Sequence, residues 1–250
     1  MLKEIDVSSI DQLMNETVPE SIRLGQGQIF RHNNQQINGL DSTYQVLSHM
    51  RHIASLNKVN TDYHGQGYYP CILPVVILRN VLENPKWYTP YTPYQAEIAQ
   101  GRLEMLLNYQ TMIVELTGLD FANASLLDEA NAASEAMAMA YSIHNNNRKK
   151  FFVSQNLFPQ SIDVCKTRAK ANGIDLVIGD IAEFPWDHAK EFCGAIFQNP
   201  DNIGNITNYT ELFAKFKENG ITSILAQDIM STVICKPAGE MGADIAVGSA

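Results

Sequence analysis

The sequence predicts an α/β domain, a mainly parallel sheet with helices on both faces, preceded by a helical N-terminal arm. Two patterns carry this. From about residue 150 onward, short apolar runs alternate with helical stretches, the signature of repeated strand–helix–strand units. Asn172-Gly173 and Asn219-Gly220 then supply helix stops ahead of the next apolar run. The bulk numbers allow it: 250 residues, 45% hydrophobic and 18% charged, suffice for a large core without disulfide or metal staples.

The arm covers residues 1–60. Ser9 opens a short helix over 9–16, and Asn33, Asn34, Gln35 and Gln36 mark a polar loop. Asp41-Ser42 caps a second helix to about residue 57, with Tyr44, Leu47, Met50 and Ile53 spaced by threes. The large domain covers 61–250. Its first stretch, 61–95, is aromatic, with glycines at 65 and 67 and prolines at 85, 90 and 93 that forbid regular structure, apart from a short helix over 74–82. Such a segment either holds function or lids a core. A helix over 94–117 follows, with Leu103, Leu106, Leu107, Ile113 and Val114 on one face and Gly118 as its stop. An alanine-rich helix spans 129–141. Strands are predicted at 151–153, 175–178, 194–197, 223–226 and 244–247, and helices at 158–171 and 208–217.

Composition excludes several function classes. A net charge of -9 argues against nucleic-acid binding, which needs a basic surface to displace counterions. The basic run Arg148-Lys149-Lys150 reads as a solvated loop. Cys71, Cys165, Cys193 and Cys235 sit far apart among apolar neighbours and read as small core residues; neither they nor the histidines have metal-site spacing. No apolar run has membrane-spanning length, and the acidic N-terminus lacks the plan of a signal or transit peptide. A cytoplasmic location is the expectation.

Chemistry in a parallel sheet sits beyond the carboxyl ends of the strands. Asp228 stands at one such end and Gly248-Ser249 at another. A carboxylate at Asp228 could pair with a protonated ring nitrogen of a cofactor; by position alone, capping of the following turn is the better reading. The small residues at the start of the 129–141 helix would admit a phosphate, but Asp128 and Glu129 stand where it would need positive charge. Tight helix packing, with acids favourably placed at the helix start, is the better account.

Several motifs carry a resemblance. Tyr88-Thr89-Pro90-Tyr91-Thr92-Pro93-Tyr94-Gln95-Ala96-Glu97-Ile98-Ala99-Gln100-Gly101-Arg102-Leu103-Glu104 closely resembles the signature of the glycine dehydrogenase (decarboxylating), or P-protein, family. Gly65-Gln66-Gly67-Tyr68-Tyr69, Leu78-Arg79-Asn80-Val81-Leu82-Glu83-Asn84-Pro85 and Ala122-Asn123-Ala124-Ser125-Leu126-Leu127-Asp128-Glu129 resemble it too. The likeness runs along almost the whole chain. Asn131, Ser134 and Met241 depart from the family pattern; Met241 fills a volume similar to the usual Phe.

The resemblance implies a fold-type-I, pyridoxal-phosphate (PLP)-dependent transferase-like architecture. It implies an oxidoreductase acting on a CH–NH2 group with a disulfide acceptor: glycine is decarboxylated and its aminomethyl group passes to the lipoyl arm of H-protein. Long family members resemble two fused halves, with the Schiff-base lysine and most of the PLP contacts in the C-terminal half. This chain matches the first part of the N-terminal half, so no catalytic residue is expected in it, and Asp228 resembles a vestige of the ring-nitrogen aspartate. Tyr91, Thr92, Tyr94, Gln95 and Glu97, with Gly65 and Tyr68, become candidates for edging a composite active site formed with the catalytic half or subunit. A homodimer or heterotetramer is implied, mitochondrial in a eukaryote. The alternative is a non-catalytic structural or regulatory partner half of a fold-type-I PLP enzyme. The isolated chain is expected to expose apolar surface and to associate.

Overall fold

The computed structural model describes residues 1–23, 31–32, 35–36, 39–88, 95 and 97–250. The chain divides into two units, Met1–Thr61 and Asp62–Ala250.

The first unit holds α1 (Ile10–Thr17), a two-residue antiparallel ladder of β1 (Arg31–His32) and β2 (Gln35–Gln36), and α2 (Thr43–Ser55). The polar stretch predicted as a loop therefore supplies a strand at Gln35–Gln36. Both helices start on serine caps: Ser9 accepts from the Gln12 N–H at 3.0 Å and Ser42 from the Gln45 N–H at 3.3 Å. Residues 1–23 and 39–61 of this unit include none that is buried, and Tyr44, Leu47, Met50 and Ile53 of α2 are exposed.

The second unit begins with irregular backbone. The predicted short helix is one turn of α-helix, α3 (Val75–Ile77), that widens into a π-helical turn over Leu78–Leu82. Next comes α4 (Gln100–Thr117), closed by Gly118 at φ 69°. Of its predicted apolar face, Leu103, Leu106, Ile113 and Val114 are half-buried, whereas Leu107 points outward.

The rest is the predicted α/β array. In chain order it runs α5 (Glu129–Ile143), β3 (Lys150–Ser154), α6 (Pro159–Asn172), β4 (Asp175–Gly179), β5 (Phe192–Asn199), α7 (Thr210–Glu218), β6 (Thr222–Gln227) and β7 (Ile245–Val247). The five strands are all parallel, in the order β4-β3-β5-β6-β7. The order reverses between β3 and β5, the kind of switch point where open sheets form crevices.

Alternation along the central strands builds two cores. Phe151, Val153, Ile196, Ile224 and Ala226 face α5 and α6, meeting Ala133, Ala136, Met137, Ala140, Cys165 and Ala169. Phe152, Phe197 and Leu225 face α7, meeting Phe184, Phe213 and Phe216. The alanines of α5 let that helix lie close on the sheet. At Gly194 even a methyl would come within 2.8 Å of the Phe151 ring and 3.0 Å of the Ala140 methyl. All eight residues of β5 and all six of β6 are buried, as expected of a parallel sheet covered on both faces.

Two expectations are corrected. Arg148 is a half-buried clamp: its Nη1 donates to the carbonyls of Gly220, Phe192 and Asn219 at 2.6, 3.2 and 3.3 Å. Turns that end helices and start strands leave carbonyls unpaired at the amino edge of the sheet, and the guanidinium collects them. Lys150 begins β3 and pairs with Glu191 at 2.6 Å. Of the cysteines, Cys165 and Cys193 are core residues, but Cys71 is exposed and Cys235 half-exposed. Apolar neighbours in sequence do not ensure burial where the local backbone is irregular.

Candidate functional site at the carboxyl edge of the sheet

The ends of β5 and β6 meet the start of α5. Asp128 caps α5 by accepting from the Asn131 N–H at 2.6 Å. Glu129, in the first turn, accepts from Gln198 Nε2 at 3.2 Å. Gln198 lies two residues beyond Ile196 and Asp228 two beyond Ala226, so strand alternation turns both toward α5. Asp228 accepts from the Met230 N–H at 2.8 Å, capping the short helix Ile229–Val233, and its own N–H donates to the Asn199 carbonyl at 3.2 Å. Burial raises the Glu129 carboxyl above its ordinary range; the Gln198 hydrogen bond opposes this, and the Asp228 and Asp128 charges add to it. Among the described residues, Gln198 Oε1 is buried with no hydrogen-bond partner.

A strained loop packs beside this corner. Gly65, Gln66 and Gly67 have φ of 69°, 54° and 87°, three successive left-handed residues, one of them not glycine. The loop closes through the Tyr68 N–H to the Gly65 carbonyl at 2.9 Å, and Gln160 Nε2 pins it to the start of α6 by donating to the Gln66 carbonyl at 2.8 Å. Gly67 is needed for contact as well as for φ: a methyl there would lie 2.9 Å from the Phe158 ring and 3.4 Å from Glu129 Oε2. Asp62 accepts from the His64 N–H at 2.7 Å, and the His64 and Tyr68 rings meet edge to face at 5.5 Å. Asp62, His64, Gln66, Tyr68, Gln160 and Asp163 line an open recess between the loop and the start of α6.

Comparison with known proteins places this geometry. A protein-family model described as "Glycine cleavage system P-protein" matches residues 1–250. The chain belongs to the P-protein family. It is 46% identical over 250 residues to the mitochondrial glycine dehydrogenase (decarboxylating) of Flaveria anomala, and 49% identical over 249 residues to that of Nostoc sp. (strain PCC 7120 / SAG 25.82 / UTEX 2576). In both cases all of this chain is covered, and it spans 24% of the relative. The crystal structure of a glycine decarboxylase (P-protein) of the glycine cleavage system, in inhibitor-bound form, superposes with a TM-score of 0.83 at 28% identity, covering 100% of this chain and 55% of that one. The parallel sheet flanked by helices is thus the P-protein fold, of fold-type-I class.

The PLP that a P-protein resemblance implies does not fit the residues at this carboxyl edge. A phosphate would take the free N–H groups at the start of α5. Asp128 already holds one of them, and Glu129 and Asp228 place further negative charge beside it. Asp228, the candidate ring-nitrogen partner, is turned into a cap for Met230 N–H.

Of the other residues predicted from sequence, Gly65 and Tyr68 come together in the strained loop, with Gly67 reaching Glu129. Gln95 and Glu97 are exposed in a separate turn leading into α4, where the Gln95 carbonyl accepts from the Ile98 and Ala99 N–H groups. Tyr91, Thr92 and Tyr94 lie outside the described residues. Sequence reasoning missed Gln198 and His64. The signal for Gln198 was available: it is a polar residue ending an apolar parallel strand, the same criterion that selects Asp228.

Proposed function

We propose that this chain is the part of a PLP-dependent P-protein that shapes the glycine decarboxylase without binding the cofactor. The support is the kinship of all 250 residues to P-protein, together with the carboxylates at the start of α5. The cofactor and its Schiff-base lysine belong to a catalytic C-terminal half or subunit. There glycine loses CO2 and its aminomethyl group passes to the lipoyl arm of H-protein. The assembly is a homodimer or heterotetramer, mitochondrial in a eukaryote and cytoplasmic in a bacterium.

In this reading the 65–68 and 91–97 loops edge the composite site. The hydroxyls of Tyr68, Tyr91, Thr92 and Tyr94, with Gln95 and Glu97, orient the glycine carboxylate or the lipoyl arm by hydrogen bonds. The test is glycine-dependent CO2 exchange. The chain alone gives none, and mixing with the lysine-bearing catalytic half restores it. Tyr68→Phe and Tyr94→Phe then lower exchange about tenfold each, the loss of one well-placed hydrogen bond. Exchange by these 250 residues alone would overturn the proposal, and unchanged kinetics in both variants would remove the loops from it. A mixture that stays inactive while the catalytic half gains stability would favour a purely structural partner.

A further inference from the structure

One turn in the second unit carries a residue that its backbone disfavours. The Tyr68 N–H donates to the Gly65 carbonyl at 2.9 Å, which makes Gly65–Tyr68 a four-residue turn. Its central residues, Gln66 and Gly67, have φ of 54° and 87°. Positive φ at both places is the mark of a type I′ turn, which takes Gly, Asn or Asp. Gly67 meets that demand, but the Cβ of Gln66 crowds the backbone in this region. A type II turn would serve the same four residues without the strain. It needs positive φ only at the second central place, where Gly67 already stands, and gives Gln66 an ordinary negative φ. Local sequence therefore favours type II, and a contact from outside the turn selects the observed form.

That contact comes from α6. Gln160 Nε2 donates to the Gln66 carbonyl at 2.8 Å, across 94 residues of sequence. A carbonyl only accepts, so the amide nitrogen is the atom that faces it. Passing from type I′ to type II changes both φ and ψ at Gln66, which swings this carbonyl out of reach of a fixed donor. Gln160 is well anchored, because its neighbours Phe158 and Ser161 are buried at the start of α6. The Phe158 ring also bounds the turn at Gly67, and the His64 ring meets Tyr68 from the preceding segment. We propose that Gln160 is a positioning residue: its hydrogen bond holds Gln66 in the left-handed conformation, and the turn so selected sets where the Tyr68 hydroxyl stands. Its bearing on the reaction rests on the reading of Tyr68 as an edge of the composite site. Gln160 itself touches no substrate; it acts through Gln66 and Tyr68.

The test uses Gln160→Met, which keeps the length of the side chain and removes the donor. In the 250-residue chain, NMR couplings and carbon shifts of Gln66 report the sign of its φ, and the ring-to-ring NOE reports the His64–Tyr68 contact. Gln160→Met is expected to invert φ at Gln66 and to weaken the NOE. Adding Gln66→Asn supplies the Asn-Gly pair that type I′ turns prefer, and is expected to restore both. With the lysine-bearing catalytic half present, Gln160→Met lowers glycine-dependent CO2 exchange by up to about tenfold, no more than Tyr68→Phe does, and Gln66→Asn recovers it. In a Tyr68→Phe background Gln160→Met costs nothing further, because both act through one hydroxyl. A φ that stays positive in Gln160→Met overturns the proposal, whatever exchange shows. So does a loss that adds to that of Tyr68→Phe. If Tyr68→Phe exchanges glycine normally while Gln160→Met inverts the turn, Tyr68 is not an active-site edge, and Gln160 governs the turn but not the reaction.

Discussion

Replacing Arg148 by alanine should destabilise the second unit substantially, although the residue stands in a run of basic residues that reads as surface. Its Nη1 reaches the carbonyls of Phe192, Asn219 and Gly220 at 3.2, 3.3 and 2.6 Å. It thereby ties the segment entering β3 to the start of β5 and the turn into β6. Hydrogen bonds from a charged donor contribute about 1.5–3 kcal/mol each. One nitrogen with two hydrogens cannot serve three acceptors fully, and carbonyls at the sheet edge regain water once the side chain is gone. The net loss is therefore roughly 2–3 kcal/mol, near the worth of one such bond, with a share from the lost packing of the methylenes. For a chain of this size that is a fall in Tm of about 5–10 °C by circular dichroism. Arg148→Lys keeps the charge but reaches fewer carbonyls, and should recover about half of the loss. A second readout is His144, whose Nε2 lies 3.4 Å from Thr222 Oγ1 and whose imidazole is held below its ordinary range by burial and then by the Arg148 charge. In Arg148→Ala that imidazole should titrate at higher pH. If Arg148→Ala melts within about 2 °C of the wild type, the clamp contributes less than about 1 kcal/mol and the account of this edge is wrong.

Three further predictions follow from burial and charge. Burial pushes the Cys165 and Cys193 thiols up to about 12 and about 11, so mild alkylation at pH 8 should label Cys71 first, Cys235 more slowly, and Cys165 and Cys193 only on unfolding; rapid native labelling of Cys193 would contradict the packing of β5. The Glu129 carboxyl is raised in the folded state, so its contribution to stability is fully present below the ordinary value of 4.5 and is lost as pH rises through the folded midpoint; Glu129→Gln should flatten that part of the stability–pH profile and gain stability at pH 7 relative to pH 4, and an unchanged profile from urea melts would refute the burial argument. Gly67→Ala forces a methyl against the Phe158 ring at φ 87° and should lose about 1–3 kcal/mol, with increased proteolytic cutting between residues 62 and 69; a neutral effect in both assays would mean the loop is not pinned there.

The fold was largely legible because its signals are local. Apolar runs bounded by Asn-Gly stops mark β3 to β6 and the helices between them, and the structure extends β3, β5 and β6 by one or two residues at each end into flanking positions that are polar or ambiguous by pattern. Strand order was not legible, because periodicity says which face of a strand is buried and nothing about its neighbour; the reversal between β3 and β5 appears only in three dimensions. The same limit explains Arg148, whose partners lie 44 to 72 residues away in sequence. The π-helical turn at Leu78–Leu82 has no sequence signature beyond helical propensity. At the carboxyl edge, composition and position identified Asp228, Asp128 and Glu129 and their conflict with a phosphate. The corner itself, where Gln198 meets Glu129 from 69 residues away and the Asp228 charge acts on that carboxyl, required the sheet to be assembled first.

The central claim is that the carboxyl edge of this sheet rejects a phosphate-bearing aldehyde. Its most direct test is titration of the 250-residue chain with pyridoxal 5'-phosphate, followed by borohydride reduction and peptide mapping. The account predicts only sparse labelling spread over surface lysines, with no saturable imine absorbance. One saturable site, reduced stoichiometrically at a single lysine, would contradict it.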